Sequence, residues 1–216
     1  MNKKIVIIGG GGHASVLVDM LYRLKMPVFS FISPQPPLNA IIFSGITQWF
    51  SDDILETLCP AEYVLVNGIG SVPGSKLREK IALKGRTLGF EFMTLISPDA
   101  YVSPFANLSE GVQVMPKAVI QPGCEIGRDV IINTGSIVEH DCKLGTLCHL
   151  APGAVLSGAV SIGQHTHIGT GAAVIQGIVI GQDSLIGAGS VINKNISPNT
   201  IVYPAKPFIR SLNNVK

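Results

Sequence analysis

An unbroken six-residue period runs through the second half of the chain. Every sixth residue from Ile96 to Ile192 is isoleucine, leucine or valine, which gives seventeen successive occurrences. Side chains repeat about every 3.6 residues in a helix and about every 2 residues in a strand, so neither element alone produces this period. A parallel β-helix of hexapeptides does, because each repeat forms one short face and one corner, and three repeats close a triangular coil of about 18 residues. The period therefore predicts an all-β parallel β-helix.

The neighbouring positions are consistent with this interior. The residue two places before each aliphatic one should also point inward, where a narrow prism has room only for small side chains. Cys124, Cys142 and Cys148 fall at this position, so we expect them to pack in the core rather than to bind metal or form disulfides. Glycine directly follows the aliphatic residue in six repeats, and we expect these corners to require a permissive backbone. The six are Gly127, Gly145, Gly163, Gly169, Gly181 and Gly187.

The residues before the repeat alternate between strand and helix patterns. Short aliphatic runs predict strands at 3–8, 28–32, 63–67 and 91–96, and helical patterns occupy 14–24 and about 75–83. This alternation is typical of a small parallel sheet with Rossmann-like winding. We therefore predict two domains, an α/β Rossmann-like acceptor-binding domain at 1–92 and the β-helix with a C-terminal loop at 93–216.

A glycine loop joins the first predicted strand to the first predicted helix. Gly9, Gly11 and Ala14 match the pattern G-x-G-x-x-[GA], in which loop amides and the helix N-terminus can hold a phosphate or diphosphate. A tight turn without a ligand is the alternative. An NAD site would also need an acidic residue after the second strand, where this chain has Ser33 and Pro34, and a larger domain. NAD is therefore not expected.

Composition excludes several classes of partner. The formal net charge is +2 and only 14% of residues are charged, and no basic run is interleaved with aromatics, so a nucleic-acid partner is not expected. No apolar stretch is long enough to span a membrane. The first residues lack the apolar core of a signal peptide. We expect a cytoplasmic protein with no membrane partner.

Four histidines lie outside both inward positions of the repeat. His149 and His167 are 18 residues apart, so they should stack on one face in adjacent coils. His140 is flanked by Glu139 and Asp141, and a neighbouring carboxylate can orient an imidazole and raise its basicity, as a general base requires. An ordinary exposed histidine is the alternative for His140.

Five segments carry a family resemblance over essentially the whole chain. They are Gly-Gly-Gly-Gly-His-Ala at 9–14, Ile-Ser-Pro-Asp-Ala at 96–100, Asn-Thr-Gly-Ser-Ile-Val-Glu-His-Asp-Cys at 133–142, His-Leu-Ala-Pro-Gly at 149–153 and Tyr-Pro-Ala-Lys-Pro at 203–207. In this order they resemble the bacterial sugar O- and N-acyltransferase family with hexapeptide repeats. That family includes sialic acid O-acetyltransferases and the N-acetyltransferases of UDP- or GDP-linked 4-amino sugars.

The resemblance implies an acetyl-CoA-dependent acetyltransferase that modifies an amino or hydroxyl group of a nucleotide-linked sugar for cell-surface glycan biosynthesis. It implies a left-handed β-helix, a homotrimer, and acetyl-CoA in the groove between adjacent prisms. His140 would be the general base and Asp141 the carboxylate that polarises it. The coenzyme contacts would be His149, Thr170 and Ala188. Lys206, near the end of the repeat, is a further candidate for holding the coenzyme phosphates, and a solvated loop lysine is the alternative. The acceptor contacts would be Gly11, Gly12, His13, Ser33 and Gly70.

Two other functions stay open at this point. Gamma-type carbonic anhydrases share the repeat and bind zinc through three histidines, but they use a His-x-x-x-x-His pair that is absent here, so no metal is expected. A trimeric sugar-nucleotide sensor without catalysis is the other. The sequence leaves undecided the acceptor atom, nitrogen or oxygen, the sugar, the nucleotide and the length of the acyl group. The family often has two aspartates after the second strand, where this chain has Ser33 and Pro34.

Overall fold

The computed structural model describes residues 3–205, which form a small α/β region followed by a β-helix. The α/β region contains strands β1 (Lys4–Ile8), β2 (Val28–Ile32), β3 (Thr47–Trp49) and β4 (Tyr63–Asn67), helices α1 (Gly12–Arg23) and α2 (Leu77–Thr87), and a 3-10 helix (Asp52–Thr57). The four strands are parallel in the order β3-β2-β1-β4. This confirms the Rossmann-like winding, although β3 and the 3-10 helix were not predicted.

The β-helix consists of eighteen two-residue strands in three parallel sheets. Face 1 contains β5 (Leu95–Ile96), β8 (Gln113–Val114), β11 (Ile131–Ile132), β14 (His149–Leu150), β17 (His167–Ile168), β20 (Leu185–Ile186) and β22 (Ile201–Val202). Face 2 contains β6 (Tyr101–Val102), β9 (Val119–Ile120), β12 (Ile137–Val138), β15 (Val155–Leu156), β18 (Ala173–Val174) and β21 (Val191–Ile192). Face 3 contains β7 (Asn107–Leu108), β10 (Glu125–Ile126), β13 (Lys143–Leu144), β16 (Ser161–Ile162) and β19 (Val179–Ile180). The chain visits the faces in the order 1, 2, 3, so the predicted fold class is confirmed.

The interior of the prism is filled by the two predicted columns. The aliphatic residues and the small residues two places before them form one continuous core cluster. Cys124, Cys142 and Cys148 are at most 1% exposed within it, which confirms their role in packing. The predicted strand at 91–96 is divided instead: Phe92 bridges to Leu65 of β4, and Leu95 begins face 1 of the β-helix. The boundary between residues 92 and 93 stays a prediction.

The residues with left-handed backbone conformation at the corners are not the ones expected. A residue with positive φ lies three places after the aliphatic residue in corner after corner, and both glycine and larger residues occupy this position, for example Gly153 (φ 68) and Asp141 (φ 61). None of the six glycines that follow the aliphatic residue has positive φ. The predicted reason for those glycines was therefore wrong.

Close contact between coils explains those six glycines instead. A Cβ built on Gly145 would lie 2.5 Å from the Gln164 nitrogen and 2.8 Å from its Cα in the next coil. A Cβ on Gly127 would lie 2.8 Å from the carbonyl carbon of Gly145, which is in the same column, and 2.8 Å from the Leu144 oxygen. Side chains are excluded there because the backbones of successive coils touch.

The α/β region packs against face 1. The outward residues of the first four face 1 strands, Leu95, Gln113, Ile131 and His149, are all buried. Leu95 and Ile131 join the core cluster around α1 and β1. Arg86 of α2 forms a two-point ion pair with buried Asp129 at the corner between faces 3 and 1, with nitrogen–oxygen distances of 2.7 and 3.1 Å. Apolar burial and this paired charge together fix the region on the β-helix.

No helix within residues 3–205 is both long and apolar enough to cross a membrane.

The glycine columns generate a stability prediction. Gly145→Ala should destabilise the fold by about 2–3 kcal/mol, because its Cβ meets backbone that cannot move aside. Gly153→Ala is the control, because its φ is 68 but no atom lies within 4 Å of the new Cβ, and the left-handed conformation should cost only about 1 kcal/mol. Thermal and urea unfolding at equal protein concentration measure both, and equal losses would contradict the backbone-contact explanation.

Candidate active site

The crevice between β1 and β4 is the position at which sheets of this topology bind ligands. In the order β3-β2-β1-β4 the chain passes from β1 outward to β2 and β3, and then returns to β4 on the other side of β1. The strand order therefore reverses between β1 and β4, and ligands of such sheets bind beyond the carboxyl ends of the strands at this switch point. The start of α1 and the loop after β4 meet there, because a Cβ on Gly70 would lie 3.4 Å from the Cβ of His13. The structure therefore brings the predicted acceptor residues His13 and Gly70 together.

Gly11 and Gly12 present an open helix N-terminus to this crevice. Gly11 is the N-cap of α1, no side chain caps the helix, and its first turn has no acidic residue. Both glycines are exposed, and a Cβ on Gly11 would meet nothing within 4 Å. Packing within the protein does not require glycine here, whereas close approach of an anionic ligand to the backbone amides would.

Ser33 lies beside the glycine loop but its hydroxyl is already engaged. The side chain is buried, and Oγ donates to the Gln35 carbonyl at 2.7 Å. A Cβ on Gly10 would lie 3.0 Å from that Oγ. Ser33 therefore supports the shape of the loop, its hydroxyl proton is already engaged, and its role as an acceptor contact stays a prediction.

A buried hydrogen-bond chain connects His13 to the β-helix. Gln113 Nε2 donates to the Asn67 carbonyl at 2.8 Å, which leaves Oε1 to accept from His13 Nε2 at 2.8 Å. His13 Nε2 therefore carries the proton. Burial, and then the charge of Arg78, lowers the pKa of His13 to about 4, so the imidazole is neutral near pH 7 and Nδ1 is an acceptor.

Arg78 supplies a buried positive charge behind these residues. Its side chain lies at the start of α2 and is 6% exposed. Nη1 donates to the carbonyls of Asn67 at 2.9 Å and Ile69 at 2.7 Å, and Nη2 to the carbonyl of Asp129 at 3.3 Å. Burial lowers the pKa of Arg78 to about 10, which still leaves it charged at neutral pH. The charge makes the crevice attractive to anions.

His149 and His167 stack on face 1 as the 18-residue spacing predicts. Their strands pair in register, the ring centroids are 4.7 Å apart, and the two Nδ1 atoms lie 3.2 Å apart. Burial, followed by repulsion from the protonated forms of His167 and His13 and from Arg78, lowers the pKa of His149 to about 3. Burial also lowers the pKa of His167. Both rings are therefore neutral at physiological pH.

His140 lies at the corner between faces 2 and 3. Its Nδ1 is 2.8 Å from Asp141 Oδ2, and more than half of each side chain is exposed. The hydrogen bond to Asp141 raises the pKa of His140 above its ordinary value. The geometry is that of a carboxylate-oriented imidazole with a neutral form accessible near physiological pH.

Gly158 makes room for the His140 ring. A Cβ on Gly158 would lie 2.6 Å from both Cε1 and Nε2 of His140, one coil earlier. Gly158 is also the only glycine two places after the aliphatic residue among the repeats from 96 to 192. This departure from the repeat is visible in the sequence, but Gly158 was not among the predicted site residues.

His140 and His149 do not meet within one chain. The corner between faces 2 and 3 is opposite face 1 in a triangular coil, so the His140–Asp141 pair and the face 1 histidines point in different directions. Thr170 and Ala188 lie at the edge of face 1, both exposed in adjacent coils at its corner with face 2. Lys206 lies outside the described residues. The predicted site residues thus occupy two separate surfaces.

Several residues of these surfaces were not predicted as functional. Arg78, Gln113 and Asn67 are buried polar residues whose role depends on contacts between distant segments, which no local pattern marks. Asn133, which contacts His149 at 3.1 Å, lay within a family segment without an assigned role. Among residues 3–205, no group of three or more His, Cys, Asp or Glu side chains is arranged to hold a metal ion.

Known protein families match both parts of the chain. The model described as "PglD N-terminal domain" matches residues 4–84. The model described as "Bacterial transferase hexapeptide (six repeats)" matches 105–139, 125–158 and 159–194. These matches define the class of the protein as a hexapeptide-repeat transferase. Comparison with curated proteins found no significant match.

Similar experimental structures define the family more closely. One is a variant of perosamine N-acetyltransferase from Caulobacter crescentus in complex with CoA and GDP-perosamine, with 36% identity, a TM-score of 0.83 and coverage of 93% of both chains. Another is the acetyltransferase domain of PglB from Neisseria gonorrhoeae in complex with acetyl coenzyme A, with 34% identity, a TM-score of 0.85 and coverage of 96% of this chain and 100% of that one. The chain belongs to this family of acetyl-CoA-dependent sugar N-acetyltransferases.

Family membership decides between the functions left open above. The protein is an acyltransferase with acetyl-CoA as co-substrate, as predicted, which sets aside the zinc hydratase and the sensor. WeeI from Acinetobacter baumannii, at 22% identity with a TM-score of 0.80, shares the fold.

Gly158→Ala tests whether the His140 ring needs the space that the missing side chain of Gly158 leaves for it. The new Cβ would displace the exposed His140 ring without touching the core, so we expect turnover to fall about tenfold to a hundredfold while the melting temperature changes little. Steady-state kinetics and thermal unfolding measure the two effects. Unchanged turnover in a correctly folded Gly158→Ala variant would contradict this role.

Proposed function

We propose that the protein transfers the acetyl group of acetyl-CoA to the amino group of a nucleoside-diphosphate-linked amino sugar. Membership in the sugar N-acetyltransferase family supports acetyl-CoA as the donor and an amino group as the acceptor. The open N-terminus of α1 is the observation that carries the nucleotide part, because uncapped amides beside buried Arg78 offer a site for a diphosphate. Acetyl-CoA and nucleotide sugars are cytoplasmic metabolites, so we place the reaction in the cytoplasm, as a step toward cell-surface glycan.

His140 is the proposed general base. As the acceptor nitrogen attacks the thioester carbonyl, a C–N bond forms, and Nε2 of His140 takes a proton from that nitrogen. The tetrahedral intermediate then collapses with cleavage of the C–S bond, and the proton passes from His140 to the departing thiolate. Asp141 holds Nδ1 at 2.8 Å and stabilises the imidazolium that forms between these steps. The inward cysteines take no part.

We propose a homotrimer in which each site is shared by two chains. The outward residues of face 2 support this arrangement, because all are apolar and none is covered by the α/β region. They are Tyr101, Val119, Ile137, Val155, Ala173 and Val191. Face 3 presents mostly polar residues instead, namely Asn107, Glu125, Lys143, Ser161 and Val179. Face 2 is therefore the face that gains most from burial against other copies.

A closed threefold ring would complete the site. If each face 2 points toward the axis, the corner between faces 2 and 3 of one chain lies beside the corner between faces 1 and 2 of the next. His140 of one chain would then approach the side of its neighbour that carries His149, Thr170 and Ala188. The coenzyme would run along this seam, and the acceptor would extend from the neighbour's α1 crevice toward His140.

A substrate panel tests the proposed reaction. The purified protein is incubated with acetyl-CoA and UDP- or GDP-linked amino sugars, their hydroxyl counterparts, and sialic acids, and CoA release and product mass are followed. We expect release only with amino acceptors, with one acetyl group added per CoA. Turnover confined to sialic acids or hydroxyl sugars would overturn the amino-acceptor proposal.

Asp141→Asn tests the pairing of Asp141 with His140. The hydrogen bond to Asp141 raises the pKa of His140, and the base acts only when neutral, so activity rises with pH through that pKa. Removal of the carboxylate charge lowers the pKa, and the acidic limb of the kcat/KM profile should move to lower pH, with reduced kcat. Glu139→Gln is the control and should move the limb less. An acidic limb that stays in place in Asp141→Asn would argue against the pairing.

A further inference from the structure

The orientation of the Asn133 amide is determined by its own chain. The backbone N–H of Thr134 donates to Asn133 Oδ1 at 2.8 Å. The reversed amide would place two donors against each other, so Nδ2 is the atom that faces His149, at 3.1 Å from Nε2. Asn133 therefore donates a hydrogen bond to His149.

This donor determines the tautomer of His149. Because Nε2 accepts from Asn133, the proton of the neutral ring must lie on Nδ1. Nδ1 of His149 faces Nδ1 of His167 at 3.2 Å, and one of these two atoms must donate to the other. The donor is His149, so Nδ1 of His167 is the acceptor and its proton lies on Nε2. The low pKa of His149, about 3, is consistent with a neutral ring.

The hydrogen bonds that run from Thr134 through Asn133 and His149 to His167, called the relay below, end at an atom without a partner in the described part of the chain. His167 Nε2 has no hydrogen-bond partner among residues 3–205, and His167 lines a cavity of about 230 Å³ between the loop at 71–76 and the corner of faces 3 and 1. The relay therefore has a fixed direction, from the Thr134 amide through Asn133 and His149 to His167.

We infer that His167 is a positioning residue, which accepts from the Nδ1–H of His149 and so holds the ring with the lone pair of Nε2 at the corner between faces 1 and 2. In this form His149 recognises a hydrogen-bond donor, and the pantetheine arm of acetyl-CoA contains two amide N–H groups. A ligand amide would take the place of the Asn133 amide at Nε2. This ligand assignment rests on the proposed coenzyme role of His149, whereas the tautomers do not.

Long-range ¹H–¹⁵N correlation on protein labelled in histidine tests the tautomers directly. We expect His149 as the Nδ1–H form and His167 as the Nε2–H form at pH 7–8, with resonances assigned from single histidine variants. A free histidine side chain favours the Nε2–H form, so the Nδ1–H form of His149 can be distinguished from an unconstrained ring. Observation of His149 as the Nε2–H form in the unaltered protein would overturn the inference.

Asn133→Asp reverses the relay with almost no change in shape. A carboxylate can only accept, so His149 must place its proton on Nε2, and His167 must then donate from Nδ1. Both tautomers should switch in the same spectra. Retention of the original tautomers in Asn133→Asp would also contradict the inference.

Kinetics of two His167 variants separate positioning from simple packing. His167→Leu removes the acceptor for His149 Nδ1–H and should raise the KM for acetyl-CoA about tenfold with kcat within about twofold. His167→Asn, whose Oδ1 can replace Nδ1, should restore most of the affinity. His165→Leu is the matched control, because His165 contacts Asp183 and Glu79 rather than His149.

The outcomes distinguish this inference from the proposed function. If His167→Leu and His167→Asn lose affinity equally, or His165→Leu loses as much, the positioning role is wrong even when the enzyme is active. If the protein shows no acetyl transfer while the tautomers are as expected, the proposed function fails and the relay stands.

Discussion

Direct stacking of one coil on the next is the constraint on which the rest of this structure depends. With three hexapeptides per coil, residues 18 apart become contact neighbours, and the glycine columns bring successive backbones close enough to exclude any Cβ. The same stacking places His149 on His167 and the His140 ring above Gly158. A rigid column of this kind lets one residue determine the orientation of a side chain in the adjacent coil without a loop or a hinge. Functional geometry here is thus a consequence of the repeat.

The three faces of the prism differ in the chemical groups that they carry. Face 1 is covered in its first coils by the α/β region and carries the neutral histidines beside Arg78. Face 2 is apolar and uncovered. His140 lies at the corner opposite face 1, where Asp141 raises its pKa. One chain therefore holds the parts of a transferase site on two surfaces that face apart, which is why the proposed site requires two copies. The opposite pKa shifts follow from this division, since exposure beside a carboxylate favours the charged imidazole and burial beside Arg78 disfavours it.

The sequence predicted those features that the period alone determines. The inward columns, the packing of the cysteines and the stacking of His149 on His167 follow from counting residues, because a strict repeat converts position into orientation. The reason for the six glycines was misjudged, since torsion angles and contacts between coils cannot be distinguished in one dimension. The chain from His13 through Gln113 to Asn67 was also not predictable, because its members are 46 or more residues apart and meet only when the α/β region docks on face 1. The unusual position of Gly158 could have been noticed in the sequence, because no other repeat from 96 to 192 has glycine two places after its aliphatic residue.

The claim that each site is shared by two chains is tested most directly by mixing inactive subunits. His140→Ala and His149→Ala are prepared separately, combined in equal amounts under conditions that exchange subunits, and assayed at acetyl-CoA concentrations well below KM. In a randomly mixed trimer, one of the three seams in each mixed assembly has His140 from one chain and His149 from its neighbour. Activity should therefore recover to about a quarter of that of the unaltered protein. A mixture that remains at the level of the separate variants, although exchange has occurred, would contradict the shared site.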